Sequence, residues 1–393
     1  MYQDPLWQKV LYLWLNPLFR FLHWDKYNIG LSLLFIFTFH YSIMLSIPVV
    51  LLYLIKRYLT CGNMYKVYTE PRYYSNSLLK INGNIACLYL NEDTNYENGF
   101  AYGSLMHNEI LFLINRFKTF VKPKITNEEL YEVFLNLPKH ALKEIQGMFD
   151  AINRLLPNKI TYSDLILIQM VPELDNVGCT IYANRDDENN VILGRNMDWM
   201  PFSSAQYSII INYKMYNINS LSVPGLIGFV TAWTKEYVVA MNVVGLKYYD
   251  NKLMPSMIYN RDLMIYSKTF NDTYDYIKLN KPMIAYHLTI ANNKKVISYA
   301  FYQNKEHTYV RNMYSKNLTV LNWTYPNNDN GRYVSAYRHE LTKNQKKRGI
   351  KHVIDILKAC QTFETMHSVI FELSKKKIHI GIDNGFAADL LHI

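Results

Sequence analysis

Only four cysteines stand in the 393 residues, Cys61, Cys87, Cys179 and Cys360, and no two share the short spacing of a metal-ligand pair. Zinc is not expected on that ground, nor is any other metal or cofactor. Internal repeats, low-complexity tracts and long flexible linkers are also missing. A basic excess exists, 42 Lys and Arg against 32 Asp and Glu, with a pI near 9.1. It lacks the aromatic interleaving or motif of a nucleic-acid module. Lys346-Lys347-Arg348 and Lys375-Lys376-Lys377 are short, far apart and best read as solvated surface, so no nucleic-acid partner is expected.

Charge is missing altogether between Tyr27 and Ile55, which contain no Asp, Glu, Lys or Arg. Leu31 to Leu54 is dominated by Leu, Ile, Phe and Val, long enough for a bilayer core that needs about 20 residues. It exceeds the apolar core of about 7 to 15 residues in a cleaved signal peptide, so one transmembrane signal anchor is expected. His40, Ser42 and Pro48 are tolerable within a span. Upstream, Trp7, Tyr12, Trp14 and Trp24 alternate with Leu, Phe and a few basic residues, as in an amphipathic helix at the membrane interface. Lys9, Arg20 and Lys26 on one side balance Lys56, Arg57, Lys66 and Arg72 on the other, so the charge rule leaves orientation undecided.

The remaining chain has ample length for a sizeable core. Tyr65 to about Asp175 reads as a mainly helical segment after a strand or two, the clearest being Ile85–Leu90. The stretch Tyr96 to Gly103 reads as a loop opening a helix through Leu105, Ile110, Leu113 and Ile114. Gly99 and Gly103 belong to that loop and not to a membrane dimer face. Further helices are expected over Asn127–Leu137 and His140–Leu156. Beyond residue 200, strands are expected over Gln206–Met215, Leu226–Trp233, Tyr237–Val244, Met283–Ala291, Lys295–Tyr302 and Asn317–Asn322. Helices are expected over Asn260–Ile277, Val334–Thr342, Lys351–Thr362 and Phe363–Lys375. Strands in a block with helices around them suit an α+β fold of two packed antiparallel sheets, helices outside.

Within this frame one hairpin concentrates chemistry. Cys179, Ile181 and Ala183 alternate with Thr180, Tyr182 and Asn184, Asp186 to Asn190 supply a turn, and Val191 to Trp199 returns. The fold-back brings Arg195 and Asp198 beside Cys179. A buried cysteine in a strand is ordinarily a small hydrophobe, and Asp198 has the simple alternative of pairing with Arg195. The complete string, Gly178-Cys179-Thr180, a hairpin, then Gly194-Arg195-Asn196-Met197-Asp198, resembles the signature of the N-terminal-nucleophile hydrolases of linear amides. These include acid ceramidase, N-acylethanolamine acid amidase and the choloylglycine hydrolases. Downstream, Met241-Asn242-Val243-Val244-Gly245-Leu246 resembles a bile-salt hydrolase segment, Val320-Leu321-Asn322 the oxyanion asparagine, and Arg332-Tyr333-Val334-Ser335-Ala336 the arginine segment of the ceramidase branch. The ceramidase branch has a glutamate where this chain has Val243.

The resemblance implies a four-layer αββα sandwich behind the transmembrane helix. Residues 1–60 would form the interfacial segment and anchor, 61–178 a pro-segment or alpha chain, and 179–393 the catalytic beta chain. It implies catalytic roles for Cys179, Arg195, Asp198, Asn322 and Arg332, with Asn242 and Trp199 at the substrate. The cysteine would become the first residue of the mature chain, and the two chains would stay associated. The chemistry is consistent with those residue types. A thiol attacks an amide as thiolate, a neighbouring cation favours that form, a freed α-amine can serve as base, and an asparagine N–H can hold an oxyanion. The expected substrate is a ceramide-like or N-acylethanolamine-like amide reached from a membrane, with the catalytic part lumenal or extracellular. There the sequons at Asn271, Asn317 and Asn322 would be glycosylation acceptors. Acyl transfer through the same thioester, or a catalytically silent membrane-bound binding protein, are the alternatives. With Cys179 as a thiol and Cys61 beside the membrane, Cys87 and Cys360 remain to pair in an oxidising compartment.

Overall fold

Thr94, Thr126 and Thr161 start three helices in the same way. Each threonine hydroxyl accepts the backbone N–H three residues on, while Glu97, Glu129 or Asp164 at that position accepts the threonine N–H. Each box satisfies two donors that a helix start otherwise leaves unpaired. The computed structural model describes Tyr68 and residues 70–82, 85–120, 125–174, 178–199, 207–243, 249–301, 309–312, 318–321, 342, 347–361 and 365–382.

The first part of the chain gives β1 (Arg72–Tyr74), β2 (Ser77–Asn82), β3 (Ile85–Leu90), α1 (Asn95–Phe120), α2 (Asn127–Leu135), α3 (Lys139–Leu155), α4 (Tyr162–Ile168) and α5 (Val171–Leu174). Then come β4 (Gly178–Arg185), β5 (Val191–Asp198), β6 (Ile209–Tyr213), β7 (Ile218–Ser222), β8 (Thr231–Trp233) and β9 (Val238–Val243). The last part holds α6 (Ser256–Tyr266), α7 (Asp272–Leu279), β10 (Tyr286–Ala291), β11 (Val296–Ala300), β12 (Tyr309–Asn312), β13 (Leu318–Leu321), α8 (Ile350–Cys360), β14 (Thr365–Glu372) and β15 (Lys377–Ile382).

These strands form two sheets in a mixed α+β fold. The larger runs β1-β2-β3-β6-β7-β8-β9-β10-β11-β12 and the smaller β13-β4-β5-β14-β15. Pairing is antiparallel throughout except between β3 and β6, where Ala86 to Leu90 run parallel to Ile209 to Tyr213. The larger sheet is thus shared by the segment before Gly178 and the segment after it.

Alternation sorts the side chains by layer. On β4 and β5, Cys179, Ile181, Ala183, Leu193 and Met197 join the main core, whereas Tyr182 and Ile192 pack with Val353, Ile356 and Leu357 of α8. A Cβ on Gly194 would come within 2.6 Å of Val353, so glycine lets α8 seat closely on the smaller sheet. On the other side of the smaller sheet, the Trp233 and Phe371 rings meet edge-on at 5.5 Å and join the two sheets. The outer face of the larger sheet carries α1, which lies against β1, β2 and β3, and α6, whose Arg261 sits over the Tyr213 ring of β6, while α3 packs on α1.

Several expectations need correction. Gly99 and Gly103 lie inside α1, where with Gly147 they form its crossing with α3. A Cβ at Gly99 would meet Glu144 O at 1.9 Å, and one at Gly147 would meet Tyr96 O at 2.0 Å. Only a hydrogen fits between backbones so close. The single helix expected over Asn260–Ile277 is two, α6 and α7, interrupted where the Asp272 carboxylate accepts the Lys268 and Thr269 N–H groups. The stretch expected as a helix, Phe363–Lys375, holds strand β14 instead, with every residue from Thr365 to Glu372 buried. A strand covered on both faces shows no alternation, and its apolar run imitates a buried helix. Cys87 on β3 and Cys360 at the end of α8 are buried thiols and form no disulfide. The expected anchor and the expected helix over Val334–Thr342, apart from Thr342, lie outside the described residues. Among the described residues no helix is long and apolar enough to cross a membrane.

Candidate active site

Cys179 enters β4 directly after Gly178, and the hairpin register places it opposite Met197 of β5. Arg195, two residues earlier on β5, lies opposite Ile181 and shares the face that looks toward the larger sheet. Its Nη2 donates to Cys179 Sγ at 2.9 Å, and both residues are fully buried.

The rest of that guanidinium is held by the facing sheet. Nη1 donates to Thr231 Oγ1 of β8 at 2.5 Å, and Nη2 also donates to the Met241 carbonyl of β9 at 3.1 Å. A guanidinium stripped of water costs several kcal/mol unless its donors and its charge are met. Thr231 and Met241 supply neutral acceptors only. Among the described hydrogen-bond partners of Arg195, the Cys179 sulfur is the one atom able to bear a negative charge.

Asp198 closes β5 opposite Gly178, across from the peptide that precedes Cys179, and is buried. Its Oδ1 accepts the Thr365 hydroxyl at 2.6 Å. Asn242 near the end of β9 is fully buried, and its Nδ2 donates to the Cys179 carbonyl at 3.4 Å. Trp199 follows Asp198 and is buried in the main core. Val243 is buried at the last position of β9. The structure therefore brings Cys179, Arg195 and Asn242 into contact and sets Asp198 at the same end of the hairpin.

Asn322 and Arg332 lie outside the described residues. The strand leading to the asparagine, β13, runs beside β4 with Leu321 opposite Thr180.

Three neighbours escaped the sequence reading. Thr231 lay in a run read only as an apolar strand, and Ser208 had no motif around it. His367 sat within the stretch expected to be helical. It is opposite Met197 on β14, fully buried, with Nδ1 at 3.1 Å from Ser208 Oγ. Burial, then the nearby Arg195 charge, push its pKa down to about 3, so the ring is neutral. Recognising β14 as a strand in register with β5 would have found it.

No family model matches the chain, and no curated protein matches it. Among solved structures it is similar to the N-acylethanolamine-hydrolyzing acid amidase ortholog of Caenorhabditis elegans. The likeness covers 50% of this chain and 96% of that one, at 16% identity and a TM-score of 0.44.

Proposed function

We propose that this protein is a membrane-anchored cysteine amidase of the N-terminal-nucleophile type, which cuts itself before Cys179 and then hydrolyses a linear N-acyl amide. The observation that carries the proposal is the buried contact from Arg195 Nη2 to Cys179 Sγ. A cation desolvated against a sulfur favours the thiolate, the form that attacks a carbonyl.

In the first step the sulfur attacks the Gly178 carbonyl carbon, the C–N bond to Cys179 breaks, and the acyl group passes to sulfur as a thioester. The released nitrogen takes a proton and becomes an α-amine. Water hydrolyses the thioester, leaving a carboxylate on Gly178 and a thiol on Cys179. In turnover the α-amine accepts the thiol proton as sulfur adds to the substrate carbonyl, and returns it to the leaving amine. Asp198, opposite Gly178, orients that amine. Asn322 donates to the tetrahedral oxyanion, Arg332 is a supporting charge, and Asn242 and Trp199 border the substrate. Water then frees the fatty acid from the thioester.

The substrate class is ceramide-like or N-acylethanolamine-like, delivered from the membrane holding residues 1–60, with the catalytic part lumenal or extracellular. Neither cofactor nor metal takes part. Buried Val243 in place of a glutamate favours a second reading, a silent membrane-bound fold, or an altered outcome such as acyl transfer to an amine.

The test is intact mass with amino-terminal sequencing. Wild type should yield a chain starting Cys179-Thr180-Ile181, roughly 25 kDa by its share of the 46.4 kDa total. Cys179→Ala should remain one chain, while Cys87→Ala and Cys360→Ala should still cleave. A wild type that stays whole after incubation at acidic pH would overturn the self-cleaving amidase and favour the silent reading.

A further inference from the structure

Cys179, Met197 and His367 occupy adjacent register positions on β4, β5 and β14, a row across three strands of the smaller sheet on the side facing the larger one. With strands about 4.8 Å apart, His367 stands roughly 10 Å from the nucleophile along the sheet. That is several bonds from a scissile carbonyl and within the length of an N-acyl amide. Its ring is held through Nδ1 by Ser208, the residue immediately before β6 of the facing sheet. The other nitrogen, Nε2, is shielded from solvent and has no hydrogen-bond partner among the described residues. A buried polar atom left without a partner costs about 1 to 3 kcal/mol, and of the several such atoms among the described residues this one stands in the row that carries the nucleophile.

We propose that His367 is a specificity residue whose Nε2 hydrogen-bonds a neutral hydroxyl or carbonyl group of the substrate, away from the amide under attack. This rests on the amidase reading above.

Two features select a neutral group. The ring is uncharged, so it offers no ion pair to an anion, and the Arg195 cation nearby repels a cationic substrate group. Ser208 has a rotatable hydroxyl that either donates to Nδ1 or accepts from it, leaving Nε2 as donor or acceptor respectively. A hydroxyl suits both states.

The experiment compares N-acyl amides of one chain length bearing a hydroxyl on the amine side, on the acyl side, or nowhere. Wild type should prefer one hydroxylated amide by about tenfold or more in kcat/KM, because a site built around a hydrogen bond rejects the analogue lacking it. His367→Leu should bring that ratio close to one, chiefly by losing activity on the hydroxylated amide. His367→Gln should restore part of it, and Ser208→Ala should lower it less than His367→Leu. Self-cleavage, followed by mass in each variant, verifies that the site still assembles. An unchanged ratio in cleaved His367→Leu overturns this assignment alone. A wild type that neither cleaves nor hydrolyses any amide overturns the amidase reading, and this one with it.

Discussion

Arg195 reaches Cys179 Sγ at 2.9 Å from one strand away, and the same guanidinium ties to Thr231 and Met241 in the opposite sheet. The contact makes the sulfur's charge state depend on how the two sheets are packed. Arg195→Lys keeps a charge and three donors, but they radiate from one nitrogen and lack the planar fork that reaches Cys179, Thr231 and Met241 together. Both self-cleavage and turnover should fall by about two to three orders of magnitude, the range seen when one oriented donor is lost at a reacting centre. Turnover near wild type in a correctly cleaved Arg195→Lys protein would take the guanidinium out of the mechanism.

The crossing of α1 on α3 depends on three glycines. A Cβ on Gly147 would overlap the Tyr96 carbonyl, and backbone cannot rotate aside as a side chain does. Gly147→Ala should therefore lower unfolding stability by at least about 2 kcal/mol, at the upper end for overpacked cores. Urea denaturation measures it. Stabilisation by the better helix former would mean that the two helices separate with little cost.

How much of this was legible in the sequence follows from where each element sits. The hairpin of Cys179 and Arg195 is covered on both faces like β14, but it was readable because Cys179, Ile181 and Ala183 alternate with the polar-tipped Thr180, Tyr182 and Asn184, and Asp186 to Asn190 mark the turn. β14 was not, since Met366, Val369 and Ile370 are buried on both faces and recur at helical intervals. β15 is hidden behind Lys375-Lys376-Lys377, which reads as surface charge, although Ile378, Ile380 and Ile382 alternate after it. Gly99 and Gly103 read as a loop in the sequence because glycine lowers helix propensity, and no local signal says that a second helix will require the space. His367 was missed with its strand.

Glu173 gives a pH dependence separable from catalysis. Its Oε1 accepts both the Ser256 N–H at 2.7 Å and the Ser256 hydroxyl at 2.6 Å, joining α5 to the start of α6. Burial outweighs those bonds and pushes its pKa up from 4.5 to about 7. The folded protein thus holds this proton more tightly than the unfolded chain. The stabilisation is full below about pH 4.5, falls as pH rises, and is lost above about 7, with a span on the order of 3 kcal/mol. His140 and His367, pushed down to about 4 and about 3, act in the opposite direction, because unfolding lets them take up protons below about 6.5. The measurement is therefore a difference. Wild-type Tm minus that of Glu173→Gln should decline between pH 4.5 and 7, and a flat difference would show that the carboxyl ionises freely in the fold.

Cleavage before Cys179 should leave two chains that do not separate, because the structure distributes one core over both. β3 keeps its five parallel pairs with β6, from Ala86–Ile209 to Leu90–Tyr213. Gln169 of the first segment donates to the Gly225 carbonyl at 2.8 Å and accepts the Ile227 N–H at 2.9 Å, and the Tyr102 hydroxyl accepts the Gly225 N–H. Most costly to part is the buried pair of Glu144 on α3 and Arg261 on α6. The same Arg261 guanidinium also donates to the Ile227 carbonyl and lies over the Tyr213 ring at 4.7 Å. Removing one member leaves the other charged and dry, at about 3 to 5 kcal/mol. Arg261→Met should thus release the two chains at clearly lower urea than wild type. The double variant Glu144→Leu with Arg261→Met should recover part of the loss, since it leaves no buried charge behind. Size-exclusion chromatography of cleaved protein across a urea series reads this directly. Chains that part in buffer alone would mean that the peptide bond before Cys179, and not the shared sheet and buried pair, holds the halves together.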